Sequence, residues 1–332
     1  MNITILGSGS FASAMAMHLA SLDHSVLLWS IDGEQVDTIN LTGYNTFCFQ
    51  DIKLSDRIKA TLSLKKALDF SEWYIMAIPT QFEREVLEKI ACITKASGHM
   101  LNLAKGIEIS TGNLLHTVHA EICSNFTYSA LSGPSHAEEV AVGCPTAVAL
   151  ASKTEGEAQK WQRIINGNHF RIYTSDDVIG LEVGGATKNI YAVAAGIARA
   201  MELGDNAIAA LACRGLAEIM RLGSKMGASP LTLSGLAGVG DLMVTCYSMH
   251  SRNFRLGLAI GQGKSFDQAV AELGQVAEGA YTVRAVVENS KKFDVELPLA
   301  ESVYRVIYGN ESPQELLAEL FARSLKPEMR FQ

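Results

Sequence analysis

The sequence predicts an α/β protein: a doubly wound, mostly parallel sheet in its first half, followed by an all-α C-terminal half. Three observations carry this. Short β-type runs alternate with amphipathic helical segments up to Tyr173. A glycine-rich turn, Gly7-Ser8-Gly9-Ser10-Phe11-Ala12, joins the first of these runs to the first helical segment. Beyond Thr174-Ser175-Asp176-Asp177 the strand signals vanish and long Ala-rich helical patterns take over.

In chain order, the predicted strands are Asn2–Leu6, Ser25–Trp29, Trp73–Ile78, His99–Leu103, Tyr128–Leu131, Thr146–Ala151 and Phe170–Tyr173, with helical segments such as Ala12–Leu22 and Gln81–Cys92 between them. The second half predicts helices over Val178–Met201, Asn206–Met226, Arg252–Gly261, Phe266–Leu273, Tyr281–Lys291, Leu299–Tyr308 and Gln314–Phe321. Gly204-Asp205, Ser229-Pro230, Gly238–Gly240, Pro298 and Pro313 punctuate them. The expected division is a domain at 1–177 and a helical domain at 178–332.

The 332 residues suffice for two cores, and 48% hydrophobic against 19% charged residues is a globular balance. A net charge of −7 argues against a nucleic-acid partner, which needs many phosphate-neutralising cations. The six cysteines, Cys48, Cys92, Cys123, Cys144, Cys213 and Cys246, are scattered without metal-ligand spacing, and the histidines form no HExxH pattern, so no metal is expected. The N-terminus lacks a basic start and apolar core, and no stretch reads as a membrane span; a cytoplasmic location is expected.

The turn after the first strand is G-x-G-x-x-A, the phosphate cradle of a Rossmann-type dinucleotide fold. Gly7 permits the tight turn, Gly9 lets backbone approach a pyrophosphate, and Ala12 lets helix and strand pack closely. The acidic residue that would hold the adenine ribose is not clean: Asp32 falls late in Leu28-Trp29-Ser30-Ile31-Asp32, and no Arg occupies the turn. NAD and NADP both stay open.

Isolated charges mark the second half. Lys188 is the only charged residue between Glu182 and Arg199, and Asp241 the only one between Lys225 and Arg252. A charge in apolar surroundings is costly unless paired or used, and burial brings a lysine towards the range of proton exchange. The small residues around Lys188 imply a tightly packed helix. Ser251-Arg252-Asn253 opens a helix, with Ser251 as a cap and donors beside exposed N–H groups that suit a phosphate. Lys105, in Asn102-Leu103-Ala104-Lys105-Gly106, and the turn Gly133-Pro134-Ser135-His136-Ala137 each follow a strand, at the edge where such sheets bind ligands. His136 reads as a loop residue rather than a base.

Together these stretches resemble the bacterial-type NAD(P)-dependent glycerol-3-phosphate dehydrogenases along nearly the whole chain. The matching segments are Gly7–Ala12, Ala77-Ile78-Pro79, Asn102–Glu108, Leu131–Val140, Ala186–Gly196, Gly238–Cys246, Ser251–Asn253 and Gln275–Gly279. The resemblance implies interconversion of sn-glycerol 3-phosphate and dihydroxyacetone phosphate with NAD or NADP, supplying glycerophospholipid synthesis. It implies Lys188 as proton acceptor, with Asp241 and Lys105 beside the substrate. Gly133, Ser135, Ser251, Arg252 and Asn253 are further implied substrate contacts, and Ser10, Phe11, Lys105, Ala137, Arg252, Val276 and Glu278 implied cofactor contacts. A homodimer is implied by the same analogy. The alternatives are another hydroxy-acid or 6-phosphogluconate-type dehydrogenase, and a non-catalytic dinucleotide sensor.

Overall fold

The computed structural model describes residues 1–274, 277–325 and 327–328. Eight strands form one sheet: β1 Asn2–Leu6, β2 Ser25–Trp29, β3 Ile58–Thr61, β4 Trp73–Met76, β5 Gly98–Asn102, β6 Phe126–Ser132, β7 Thr146–Ala151 and β8 Phe170–Ser175. Their spatial order is β3-β2-β1-β4-β5-β6-β7-β8. Every pairing is parallel except β6 with β7, where Ala130 faces Ala151. The first six strands thus have the doubly wound order that reverses between β1 and β4, the crevice where such sheets take ligands.

The helices of this half are α1 Ser10–Ser21, α2 Gly33–Thr42, α3 Leu64–Phe70, α4 Glu83–Ile93, α5 Leu115–Ile122, α6 Ala137–Ala141 and α7 Glu157–Ile165. Alternation along each strand sends side chains to opposite faces. Ile3, Ile5, Val26 and Leu28 join Met15, Leu19 and Trp161 on one face, while Leu6, Tyr74, Met76 and Met100 join Leu87, Ile90 and Val118 on the other. The predicted strands are present, three with the predicted bounds and four with shifted ends, but β3 was not foreseen. Only Ile58 and Ala60 of its four residues are buried, and Lys59 between them is exposed, so an edge strand this short carries little apolar signal.

The remainder is helical: α8 Val178–Ala200, α9 Gly204–Met226, α10 Pro230–Leu233, α11 Asp241–Tyr247, α12 Arg252–Gly261, α13 Phe266–Leu273, α14 Glu278–Glu288, α15 Ser290–Phe293, α16 Pro298–Gly309 and α17 Pro313–Phe321. A single π-helical turn, Leu236–Gly240, leads into α11. Neither was foreseen, because Gly238–Gly240 reads as punctuation between helices. The helix α14 begins at Glu278, ahead of the expected Tyr281.

The centre of this half is α8, with 20 of its 23 residues buried, so it is surrounded rather than amphipathic. Its small residues make that possible. A Cβ on Gly196 would lie 2.1 Å from the Phe254 carbonyl oxygen, and one on Gly257 would lie 1.9 Å from that of Val193, so α8 and α12 meet backbone to backbone. The first half of α8 runs along β6: Glu182 accepts the Tyr128 hydroxyl hydrogen, and Gly185 sits against Ser132 and Lys105. That path brings Lys188 to the carboxyl edge of the sheet. Among the described residues no helix is long and apolar enough to cross a membrane.

Candidate active site

The glycine turn follows β1 at the β1/β4 crevice. Gly7 has φ 123°, and a Cβ there would lie 2.4 Å from the Ala77 carbonyl oxygen, so only glycine fits. Gly9 caps α1 in extended conformation and faces open space, with nothing within 4 Å of a notional Cβ. The first turn of α1 carries no acidic residue. Ser10 and Phe11 open it, and Ala12 is buried against the sheet. Open backbone, free of side-chain bulk, at a helix N-terminus fits a pyrophosphate. Behind the turn, Asn45 donates to the Ser8 carbonyl (2.9 Å) and to Ser13 Oγ (2.8 Å), and Gln35 Nε2 donates to the Ser8 carbonyl (3.0 Å), which fixes the loop. Asp32, the late acid, caps α2 by accepting the Gln35 N–H at 3.0 Å. Ser30 stands at the end of β2 instead.

Lys188 and Asp241 are widely separated in sequence and meet at one buried cluster. The Asp241 carboxylate is fully buried; Oδ1 accepts from Lys188 Nζ, and Oδ2 accepts from Lys105 Nζ at 2.7 Å. Lys188 Nζ also donates to Thr245 Oγ1 at 2.8 Å, and Lys105 Nζ donates to the Gly133 carbonyl at 2.9 Å. Lys105 is delivered by the loop after β5, where Asn102 Oδ1 accepts the Ala104 N–H at 2.7 Å. Gly133 follows β6, and Ser135 Oγ donates to the same Gly133 carbonyl at 2.9 Å.

Ser251 caps α12 by accepting the Phe254 N–H, as expected from sequence. Arg252 is the exposed first residue of that helix, close enough to Glu278 and Cys48 to act on both electrostatically. Asn253 points inward: its Oδ1 accepts the Gly279 N–H at 2.8 Å and its Nδ2 donates to Asn189 Oδ1 at 2.9 Å, tying α12 to α14 and α8. Ala137 opens α6 and packs on the sheet. Glu278 opens α14, and its carboxyl accepts a hydrogen bond from the backbone of Thr80. Val276 lies outside the described residues.

Residues 2–158 match the NAD-dependent glycerol-3-phosphate dehydrogenase N-terminus, and residues 177–318 match the C-terminus of the same family. The chain belongs to the NAD-dependent glycerol-3-phosphate dehydrogenases. It is 42% identical over 329 residues to the glycerol-3-phosphate dehydrogenase [NAD(P)+] of Staphylococcus saprophyticus, covering 98% of this chain and 99% of that protein. The Staphylococcus aureus protein of the same description is 44% identical over the same length and shares of each chain. Its fold superposes on the glycerol-3-phosphate dehydrogenase of Coxiella burnetii with a TM-score of 0.94 at 37% identity, over 97% of this chain and 99% of that one.

In this NAD(P)-dependent dehydrogenase the electrostatics of the cluster follow from burial. Desolvation brings Lys188 down from 10.5 to about 8; Asp241 opposes that fall and the Lys105 ammonium adds to it. Burial pushes Asp241 up, but the two ammonium groups outweigh it and hold the carboxyl below its ordinary value. Burial lifts Glu278 to about 7 despite Arg252. Thr245, Asn189 and Asn102 escaped the sequence reading. The signal for Thr245 was its i, i+4 spacing from Asp241, legible only once that segment is known to be helical.

Proposed function

We propose that Lys188 is the proton acceptor when glycerol 3-phosphate is oxidised and the proton donor when dihydroxyacetone phosphate is reduced. The observation that carries this is the buried Lys188 ammonium, hydrogen-bonded to Asp241 and Thr245 at the carboxyl edge of the sheet. A lysine near pKa 8 is balanced between base and acid at physiological pH. When bound, the nicotinamide supplies the hydride chemistry. Asp241 and Thr245 aim Nζ, and Lys105 adds positive potential beside the substrate oxygens. The Lys188–Asp241 pair is also what separates this reading from a non-catalytic sensor, which has no use for a buried titratable lysine.

Arg252, Asn253 and Ser251 at the head of α12, together with Gly133 and Ser135, are the proposed phosphate and substrate contacts. Gly7, Gly9, Ser10, Phe11, Ala12, Lys105, Ala137, Arg252 and Glu278 are the proposed cofactor contacts. The proposal extends to a dinucleotide domain at 1–177 and a substrate domain at 178–332. It also includes a cytoplasmic homodimer that supplies glycerol 3-phosphate for glycerophospholipids. The decisive experiment follows NADH or NADPH absorbance on adding dihydroxyacetone phosphate. Lys188→Ala should leave cofactor binding nearly intact and lower kcat by on the order of 10²-fold or more. A kcat within about threefold of the parent, far below that scale, removes Lys188 from the mechanism.

A further inference from the structure

The loop that delivers Lys105 rests on the head of α4. Its Gly106 lies so close to Thr80 that a Cβ there would stand 2.2 Å from the Thr80 hydroxyl oxygen. Gln81, in the turn before α4, donates to the Ile107 carbonyl at 2.8 Å and accepts the Ile109 N–H at 3.0 Å. Glu83, the first residue of α4, is 1% exposed, and its Oε2 accepts from Asn102 Nδ2 at 2.8 Å. Its Oε1 is buried without a hydrogen-bond partner among the described residues.

A carboxyl kept in the interior needs a reason, because burying a half-satisfied polar group is costly. Asn102 supplies one. A backbone N–H can only donate, so the Ala104 N–H, 2.7 Å away, draws Asn102 Oδ1 towards the loop and leaves Nδ2 facing Glu83. Nδ2 is a donor and needs an acceptor there. Burial, with Glu182, Glu278 and Glu108 adding to it, pushes the Glu83 carboxyl well above the usual carboxylate range, against the Asn102 hydrogen bond. The neutral acid still accepts through its carbonyl oxygen.

We propose that Glu83 is a positioning residue for this reaction: it holds the Asn102 amide in the orientation that pins Ala104, and so keeps the Lys105 ammonium against Asp241. This rests on the reaction and the role of Lys188 given above. With the Glu83 acceptor gone, Nδ2 stays unpaired unless the amide rotates, and rotation breaks the bond to Ala104. The loop then loosens and Lys105 withdraws from the Asp241 carboxylate. Lys188 loses the like charge that helps to hold it at about 8, so it keeps its proton to higher pH. The other titratable groups around Lys188, which are Asp241, Cys246 and His136, stay as they were.

The test measures kcat for dihydroxyacetone phosphate reduction, and kcat/KM for glycerol 3-phosphate oxidation against pH, in the parent, Glu83→Leu and Glu83→Gln. Glu83→Leu should lose about 10-fold in kcat, and its oxidation inflection should move up by about 0.5 pH unit or more. Glu83→Gln, whose amide oxygen accepts from Asn102, should stay within about twofold of the parent with its inflection unmoved. Asn102→Leu and the double variant close a cycle, in which the double should be no slower than Asn102→Leu alone. Glu83→Met, which also lacks the acceptor, takes the place of the leucine variant if that fails to fold. A leucine variant with parental kcat, or one that slows with its inflection unmoved, overturns the positioning role. So does a glutamine variant as impaired as leucine, or a double variant slower than Asn102→Leu. A parent that oxidises no NADH or NADPH with dihydroxyacetone phosphate, or shows no inflection near 8, overturns the underlying reading instead.

Discussion

Removing either partner of the Lys188–Asp241 pair should have opposite consequences for stability, because the cluster holds two cations and one anion. Asp241 lies between Lys188 and Lys105, which touch different oxygens of its carboxylate. Asp241→Asn leaves the buried Lys188 ammonium and the partly buried Lys105 ammonium facing a neutral amide. Losing one member of a buried ion pair typically destabilises by roughly 3–5 kcal/mol, so a loss of about 3 kcal/mol is expected at pH 7, where Lys188 can shed part of the strain by deprotonating. Lys188→Met leaves Lys105 and Asp241 as a balanced pair. It also removes a group held at about 8 rather than 10.5. That shift corresponds to about 3 kcal/mol against the folded state. The sign follows from linkage: this penalty is fully present below about pH 8, and is relieved as pH rises towards 10.5, the unfolded value. Lys188→Met should therefore be at least as stable as the parent at pH 7. The assay is urea unfolding at pH 7 and fixed protein concentration, followed by circular dichroism. If Lys188→Met loses as much stability as Asp241→Asn, charge balance does not govern this cluster and the reasoning fails.

The remaining expectations concern catalysis. Oxidation of glycerol 3-phosphate needs neutral Lys188, so its kcat/KM should rise with pH through an inflection near 8, while reduction of dihydroxyacetone phosphate should decline above it; a reduction profile flat from pH 6 to about 10, across that range of ionisation, would contradict the assignment. Arg252→Ala should lose about 10- to 100-fold in kcat/KM on dihydroxyacetone phosphate and far less on unphosphorylated dihydroxyacetone, since a guanidinium donates paired bonds that only the phosphate receives. Equal losses on the two would assign Arg252 to the cofactor or the fold. NADH and NADPH should both serve, with discrimination below about 100-fold, because Asp32 is committed to capping α2 and an uncharged residue, Ser30, follows β2. Measured kcat/KM values for each decide it; Arg57, paired with Asp23 at 3.0 Å, is not expected to reach a 2′-phosphate.

Local patterns carried much of the architecture. The run Asn2–Leu6 into Gly7–Ala12 announced a strand, a tight turn and a helix, because that turn needs glycine at a positive φ and small residues behind it. Lys188 stood out because an isolated charge among Ala, Gly and Val residues implies burial, and the structure buries it. The sequence also pointed to Ser251 as the cap of α12, a contact made within one helical turn. Such features are local, so their physics is written into neighbouring residues.

Tertiary packing decided the rest. Nothing near Lys188 in the chain says that Asp241, 53 positions away, meets it, or that Lys105 takes the other oxygen. The helix carrying Asp241 and Thr245 follows a glycine-rich π turn that reads locally as a loop, and it is held in place by α8. The inward turn of Asn253 towards Asn189 and Gly279 depends on three helices converging. The shift of Lys188 to about 8 is likewise a property of the folded state, since it arises from lost water and from charges brought together by the fold. A sequence can name the groups that carry charge; only their burial together sets how tightly each holds its proton.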